Sequence, residues 1–220
     1  MSTRKLVDTA AEQILLEELI DRAKPPDPTR GRLHYLLATP FRYPPLPHGS
    51  RFGGRHERGI WYGSETRRTA FAEVAYYRLL FLEGTRAELD PVTTQLTAFT
   101  VRAHTKRGID LVAPPFDAHR RAIASPTRYD AAQALGREMR EAGVELFRYP
   151  SARDAGSGVN VAAFTPSVFG AARPRSLETW HCTATRGRVE LTKRDYFARD
   201  HFAFDRDAFL VDGALPAPAL

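Results

Sequence analysis

The sequence predicts an α+β fold: a single domain with an N-terminal helical arm. Strand-like and helix-like runs are interleaved irregularly, and regular strand–helix–strand units are few, which argues against a doubly wound sheet. A length of 220 residues suits one domain, or one domain with an arm. The hydrophobic share, 43%, is ordinary, and a chain of this size buries a sizeable core without staples.

Residues 6–23 read as a helix, with Leu6, Ala10, Ile14, Leu15 and Leu19 near helical spacing, and Lys24-Pro25-Pro26 ends it. Residues 1–30 are therefore expected to form an arm, laid over the domain or offered to a partner. A short strand is expected over 34–38, an irregular stretch over 42–59, and a strand over 59–63 that reaches Tyr62. Ser64 and Thr66 are both candidate caps for a helix over 67–82. Partial alternation, Leu96 with Ala98 and then Phe99 with Val101, predicts a strand over 93–103. A helix over 129–142 is closed by Gly143, and strands are expected over 144–149, 159–164, 178–183 and 188–192. The domain is drawn over 31–194 and a tail, aromatic and charged and then Ala/Pro-rich, over 195–220.

Composition narrows the function. The net charge is +6 and the basic residues are mostly arginine, whose planar fork grips phosphate. A phosphorylated small molecule and nucleic acid both fit, as does an arginine-biased surface with no partner. Cys182 is the lone cysteine, so an internal disulfide and a cysteine-based zinc site are excluded. The seven histidines are scattered without metal-ligand spacing, so no metal is expected. Glu12, Glu17 and Glu18 interrupt what a signal peptide would need to keep apolar, and no run of about 18 apolar residues occurs. A soluble cytoplasmic protein is expected.

Three places attract chemistry. The first is the loop Gly49-Ser50-Arg51-Phe52-Gly53-Gly54-Arg55, where exposed amides and flanking arginines are expected to cradle an anion, unless it is a plain glycine turn. It is neither a Walker A loop nor a dinucleotide fingerprint. The second is Glu73. It is the single carboxylate in an apolar run from Ala70 to Leu82 that should be buried all round, and no basic residue stands three or four positions away. Such a carboxylate needs a partner from elsewhere in the fold or from a ligand. The third is Tyr149-Pro150-Ser151-Ala152-Arg153, followed by Asn160, which reads equally as a Pro-Ser turn. Cys182 reads as a core residue, and no G-x-S-x-G motif supports Ser64 or Ser151 as a hydrolase nucleophile.

Together these regions resemble the RES domain, the toxin half of RES–Xre toxin–antitoxin systems. The resemblance runs over about 41–166. It rests on Phe41-Arg42-Tyr43, the Gly-rich loop ending in Arg55-His56, Ile60-Trp61-Tyr62, Ala72-Glu73-Val74, and Pro150-Ser151 with Asn160. His56 stands where the family usually has Trp, and the helix near Tyr129-Asp130 lacks a Ser or Thr that some members carry. The resemblance implies a mixed β core similar to ADP-ribosyltransferases and NAD⁺ breakdown by phosphorolysis or hydrolysis. NAD⁺ is then substrate, inorganic phosphate a co-substrate if the route is phosphorolysis, and no further cofactor is needed. It also implies site roles. Arg55 with Arg42 would grip phosphate, Tyr62 would pack on nicotinamide or bond the ribose, Glu73 would sit by the ribose, and Ser151 would bond the substrate. Tyr43, Arg51 and Asn160 would complete the substrate site. An Xre-like antitoxin is the implied partner and the route to any nucleic acid; a homodimer stays open. Three other readings also stay open: transfer of ADP-ribose to a protein, a basic nucleic-acid-binding module, and a non-catalytic scaffold that binds a partner through the N-terminal arm.

Overall fold

The structure, a computed structural model, describes residues 7–29, 31–43, 45, 47–87, 89, 91–195 and 200–217. The arm helix α1 (Ala10–Ala23) opens on a capping box: Thr9 Oγ1 accepts from the Glu12 amide, and Glu12 Oε2 accepts from the Thr9 amide. The expected start at residue 6 lies outside the described residues. The strand expected over 34–38 is instead part of helix α2 (Tyr35–Arg42). His34 Nδ1 caps the Leu36 amide, and Leu37 and Phe41, four apart, pack on Trp61, Val168 and Phe169. A buried helical stripe, not strand pairing, satisfies this segment.

The other elements follow in order. They are β1 (Trp61–Ser64), α3 (Arg67–Glu83), β2 (Val92–Thr100), β3 (Gly108–Asp110), α4 (Arg120–Ile123), α5 (Asp130–Glu141), β4 (Leu146–Pro150), β5 (Val159–Ala163), β6 (Ser176–Ala184), β7 (Arg188–Lys193) and β8 (His201–Asp205). Of the two candidate caps, Thr66 takes the role for α3, accepting from the Thr69 amide. Gly143, at φ +75°, closes α5 in the left-handed region. The sequence pattern missed β3, α4 and β8; the first two are only three and four residues long.

The strands form two sheets. The first runs β1-β5-β4-β3, with β3 parallel to β4 and the other pairs antiparallel; the second, β2-β6-β7-β8, is antiparallel throughout. α3 packs Phe71, Ala75, Tyr76 and Leu79 on the second sheet, against Trp180, Cys182, Leu191 and Phe204. α5 covers one face of the first sheet, where Gly136 sits so close to Phe52 that a Cβ would come 2.1 Å from its carbonyl oxygen. Phe209 and Leu215 reach back into the α3 core, so this part of the expected tail is packed structure.

The expectation that α3 is buried all round fails. Tyr77 and Phe81 are 54% and 55% exposed and Glu73 is half-buried, because the second sheet covers only one side of the helix. No helix among the described residues is long and apolar enough to cross a membrane.

Candidate active site

Strand register assembles the chemistry. Ser64 of β1 stands opposite Asn160 of β5, which stands opposite Tyr149 of β4. Residues directly opposite one another share a sheet face, and Tyr62, two before Ser64, shares it too. Glu73 reaches that face from α3. Asn160 Nδ2 and Ser151 Oγ both donate to Glu73 Oε1, each at 2.7 Å. Ser64 Oγ donates to Asn160 Oδ1 at 2.6 Å, which turns the amide nitrogen toward the carboxylate. Ser64, weighed in the sequence as a cap or a nucleophile, is thus a link in the chain that aims Asn160.

The loop after β4 orients Ser151. Its Oγ accepts from the amides of Arg153 and Asp154 at 3.1 Å each, so its one proton is left for Glu73. Buried Asp154 accepts from Thr69 Oγ1 at 2.8 Å and so ties this loop to the first turn of the helix that carries Glu73. Gly158 allows the approach, since a Cβ there would lie 2.1 Å from Thr69 Oγ1. The Pro-Ser segment is therefore more than a turn.

The Gly-rich loop departs from the anion cradle expected of it. The Ser50 and Gly53 amides bond across the loop, the Phe52 amide donates to Tyr62 Oη at 3.2 Å, and the Gly54 amide donates to Glu57. These amides are occupied, so what the loop delivers is a side chain. Arg51 is buried, lies 4.7 Å over the Tyr129 ring and donates to the Ser125 carbonyl at 2.8 Å. Tyr62 Oη also meets Ser50 Oγ at 2.9 Å, and burial pushes its phenol up to about 12. Burial, then the Glu73 charge, hold the Tyr149 phenol well above its ordinary value.

The predicted residues therefore fall into two groups. Tyr62, Glu73, Ser151, Asn160 and Arg51 gather on one face of the first sheet. Arg55 is exposed, with its Nε on His56 Nε2, and Arg42 donates to the Pro25 carbonyl at 2.5 Å and stacks over Tyr43, tying α2 to the segment after α1. No described contact brings Arg42, Tyr43 or Arg55 to Glu73. Sequence reasoning missed Tyr77 and Tyr129, and it named Arg153 only as part of the 149–153 segment. Tyr77 stands one turn beyond Glu73, and helical spacing alone puts it on the same face; its hydroxyl lies 3.4 Å from that of Tyr129. Glu73 and Tyr77, with Val74, Arg78, Phe81 and Leu96, line an open groove of about 410 Å³. Val74 and Leu96 also border a larger cleft of about 860 Å³ between the two sheets.

The family model described as RES domain matches residues 23–185. The chain belongs to the RES-domain family. The match takes in every residue of the Glu73 group and ends at the turn before β7, so β7 and β8 lie outside it. No curated protein matches the chain. At the level of the family, RES membership carries a toxin-like, NAD-related function.

Proposed function

We propose that this RES protein cleaves NAD⁺ between nicotinamide and ribose, by phosphorolysis or hydrolysis, and that it arrests bacterial growth unless an Xre-like antitoxin blocks it. The observation that carries the reading is the state of Glu73. Oε1 takes two neutral hydrogen bonds, from Ser151 and Asn160, and Oε2 has no hydrogen-bond partner among the described residues while the residue lines an open groove. Two neutral donors hold the carboxylate in place, and among the described residues no cation pairs with it.

That arrangement suits a glycosidic bond that breaks early. The C1′–N bond pair leaves with nicotinamide, and C1′ becomes cationic. A fixed carboxylate in a partly desolvated site stabilises that cation and costs no reorganisation. A phosphate oxygen or water then attacks C1′; water gives up a proton to the medium as ADP-ribose forms. Ser151, Asn160 and Ser64 hold Glu73, Tyr62 packs at the ribose or nicotinamide, and Arg51 supplies positive charge for the phosphates. Arg55 adds charge from the exposed end of the loop.

The test is to incubate purified protein with NAD⁺, with and without inorganic phosphate, and identify the products. Free nicotinamide with ADP-ribose, or with its phosphorylated form when phosphate is present, supports the reading. Label transferred to protein supports ADP-ribosyl transfer instead, and intact NAD⁺ with binding to nucleic acid that weakens steeply in salt supports the nucleic-acid module. In cells, expression should lower NAD⁺ before growth stops, and a co-expressed antitoxin should prevent both.

A further inference from the structure

Among the described residues the two sheets present four edge strands, and β2 is unlike the others. β1, β3 and β8 have four, three and five residues, while β2 has nine. A long edge strand is ordinarily guarded by a charge, a proline or a covering element, because its free N–H and C=O groups are a template for another chain. Val92–Thr100 holds no charged residue and no proline, and four of its nine residues are threonine, which favours strand pairing. On the side away from β6, no backbone hydrogen bond reaches it among the described residues.

The cleft of about 860 Å³ runs along this edge. Residues 96–101 line it without a gap. Successive residues of a strand point to opposite faces, so a cleft over one face would meet alternate positions; contact with six in a row places it at the edge. The first sheet supplies the opposite wall, where Trp61, Gly63, Leu146 and Val161 share a face by register, and α3 adds Phe71 and Val74. The four charged residues of the lining neutralise one another: Arg67 pairs with Glu178 at 2.9 Å and Arg148 with Glu65 at 2.6 Å. The walls are thus largely apolar and carry no net charge. They match an uncharged stretch of polypeptide and leave no unpaired cation for a phosphorylated ligand. A cleft of this volume admits a segment of chain and not a folded sheet edge with its domain behind it, so a second copy offering its own β2 is not the occupant.

We propose that this cleft binds one extended segment of a partner protein, uncharged and free of proline over about six residues, which adds to β2 as a further strand of the second sheet. Backbone bonds to the edge hold the segment, and its alternate side chains enter the apolar walls. Val74 and Leu96 border both the cleft and the groove at Glu73, so the added strand lies beside the candidate active site. The proposal assumes nothing about NAD⁺.

Selection of displayed random octapeptides on the immobilised full chain supplies the probe and the first test. The wild type should enrich uncharged, proline-free peptides. The most enriched of them, made synthetically, should bind in solution and slow amide hydrogen exchange across residues 96–101. Thr97→Lys places a guarding charge at an exposed position of the edge and should weaken that peptide by about tenfold or more. Thr100→Lys, also exposed in the cleft, should do the same and keeps the test decisive where Thr97→Lys fails to fold. Thr93→Lys, exposed on the same strand but outside the cleft, should change nothing. No enrichment, unaltered exchange across 96–101, or binding that neither Thr97→Lys nor Thr100→Lys weakens overturns the proposal. Displacement of the peptide by NAD⁺ overturns it too, by giving the cleft to the substrate.

Discussion

Two loops, the Gly-rich loop before β1 and the Pro-Ser loop after β4, both carry arginine and serine, and the fold uses them in opposite ways. The Gly-rich loop is closed on itself, with amides bonded to Gly53, Ser50, Tyr62 and Glu57, and it meets α5 backbone to backbone at Phe52 and Gly136. The Pro-Ser loop spends its amides on holding one side chain, Ser151, so that the hydroxyl proton points at Glu73. Glycine content announces backbone proximity; it does not say whether the close partner is a ligand or the protein's own helix. Here the glycines serve packing, and the less conspicuous loop is the one that holds Glu73.

Substitutions in the two loops should therefore separate cleanly. Ser151→Ala and Asn160→Ala should each lower the turnover of NAD⁺ by about tenfold or more, because Glu73 Oε1 loses one of its two donors. Ser151→Ala also strands two buried amides and should cost roughly 1–3 kcal/mol in chemical denaturation. Near-normal kcat in both variants would erase the contrast between the loops.

Gly136→Ala probes the other side of the comparison. A methyl group 2.1 Å from the Phe52 carbonyl forces α5 and the Gly-rich loop apart, and should cost about 1–3 kcal/mol by overpacking, more than the helix propensity gained. Arg51 rides on that loop, so KM should rise with the loss of stability. Unchanged stability would mean that the loop is not held by α5.

Arg55→Ala should have a smaller effect, a rise in KM of about threefold with stability unchanged, since the side chain is exposed and its bond is to His56. A larger kinetic loss here than in Ser151→Ala would return the leading role to the Gly-rich loop. The smallest effect concerns pH. Burial raises the Tyr62 phenol from 10.0 to about 12, so the folded state favours the neutral form. The associated stability is present below pH 10 and is lost as pH rises from 10 toward 12. Denaturation across that window should show a decline that Tyr62→Phe flattens.

Much of the fold was legible. Helices α1, α3 and α5 announced themselves by caps, stops and periodicity, β2 by partial alternation, and β1, β4, β5, β6 and β7 as strand-like runs near their observed bounds. α2 was misread because five residues around Leu36-Leu37 carry no period long enough to tell strand from helix; the burial of Leu37 against Trp61 and Val168 decides it. Glu73 was legible because a carboxylate in an apolar run is costly, and Ser151 and Asn160 through the family resemblance. Ser64, Tyr149 and Arg153 were named only as a cap or nucleophile candidate and as members of the Pro-Ser segment; their contacts were not legible, because these depend on register between β1, β5 and β4 and on a loop contact to 123–126. Nothing in a linear sequence states a cross-strand pairing 96 residues apart, such as Ser64 with Asn160.

The central claim is that Glu73, held by the Pro-Ser loop and Asn160, is the group around which NAD⁺ is cleaved. Nicotinamide release from NAD⁺ by the wild type and by Glu73→Gln, followed side by side at equal concentration of folded protein, tests it most directly. The glutamine keeps the shape and removes the charge, so the account predicts steady release by the wild type and a rate lower by about a hundredfold or more in the variant, with melting temperature little changed. Release by Glu73→Gln at the wild-type rate would contradict it.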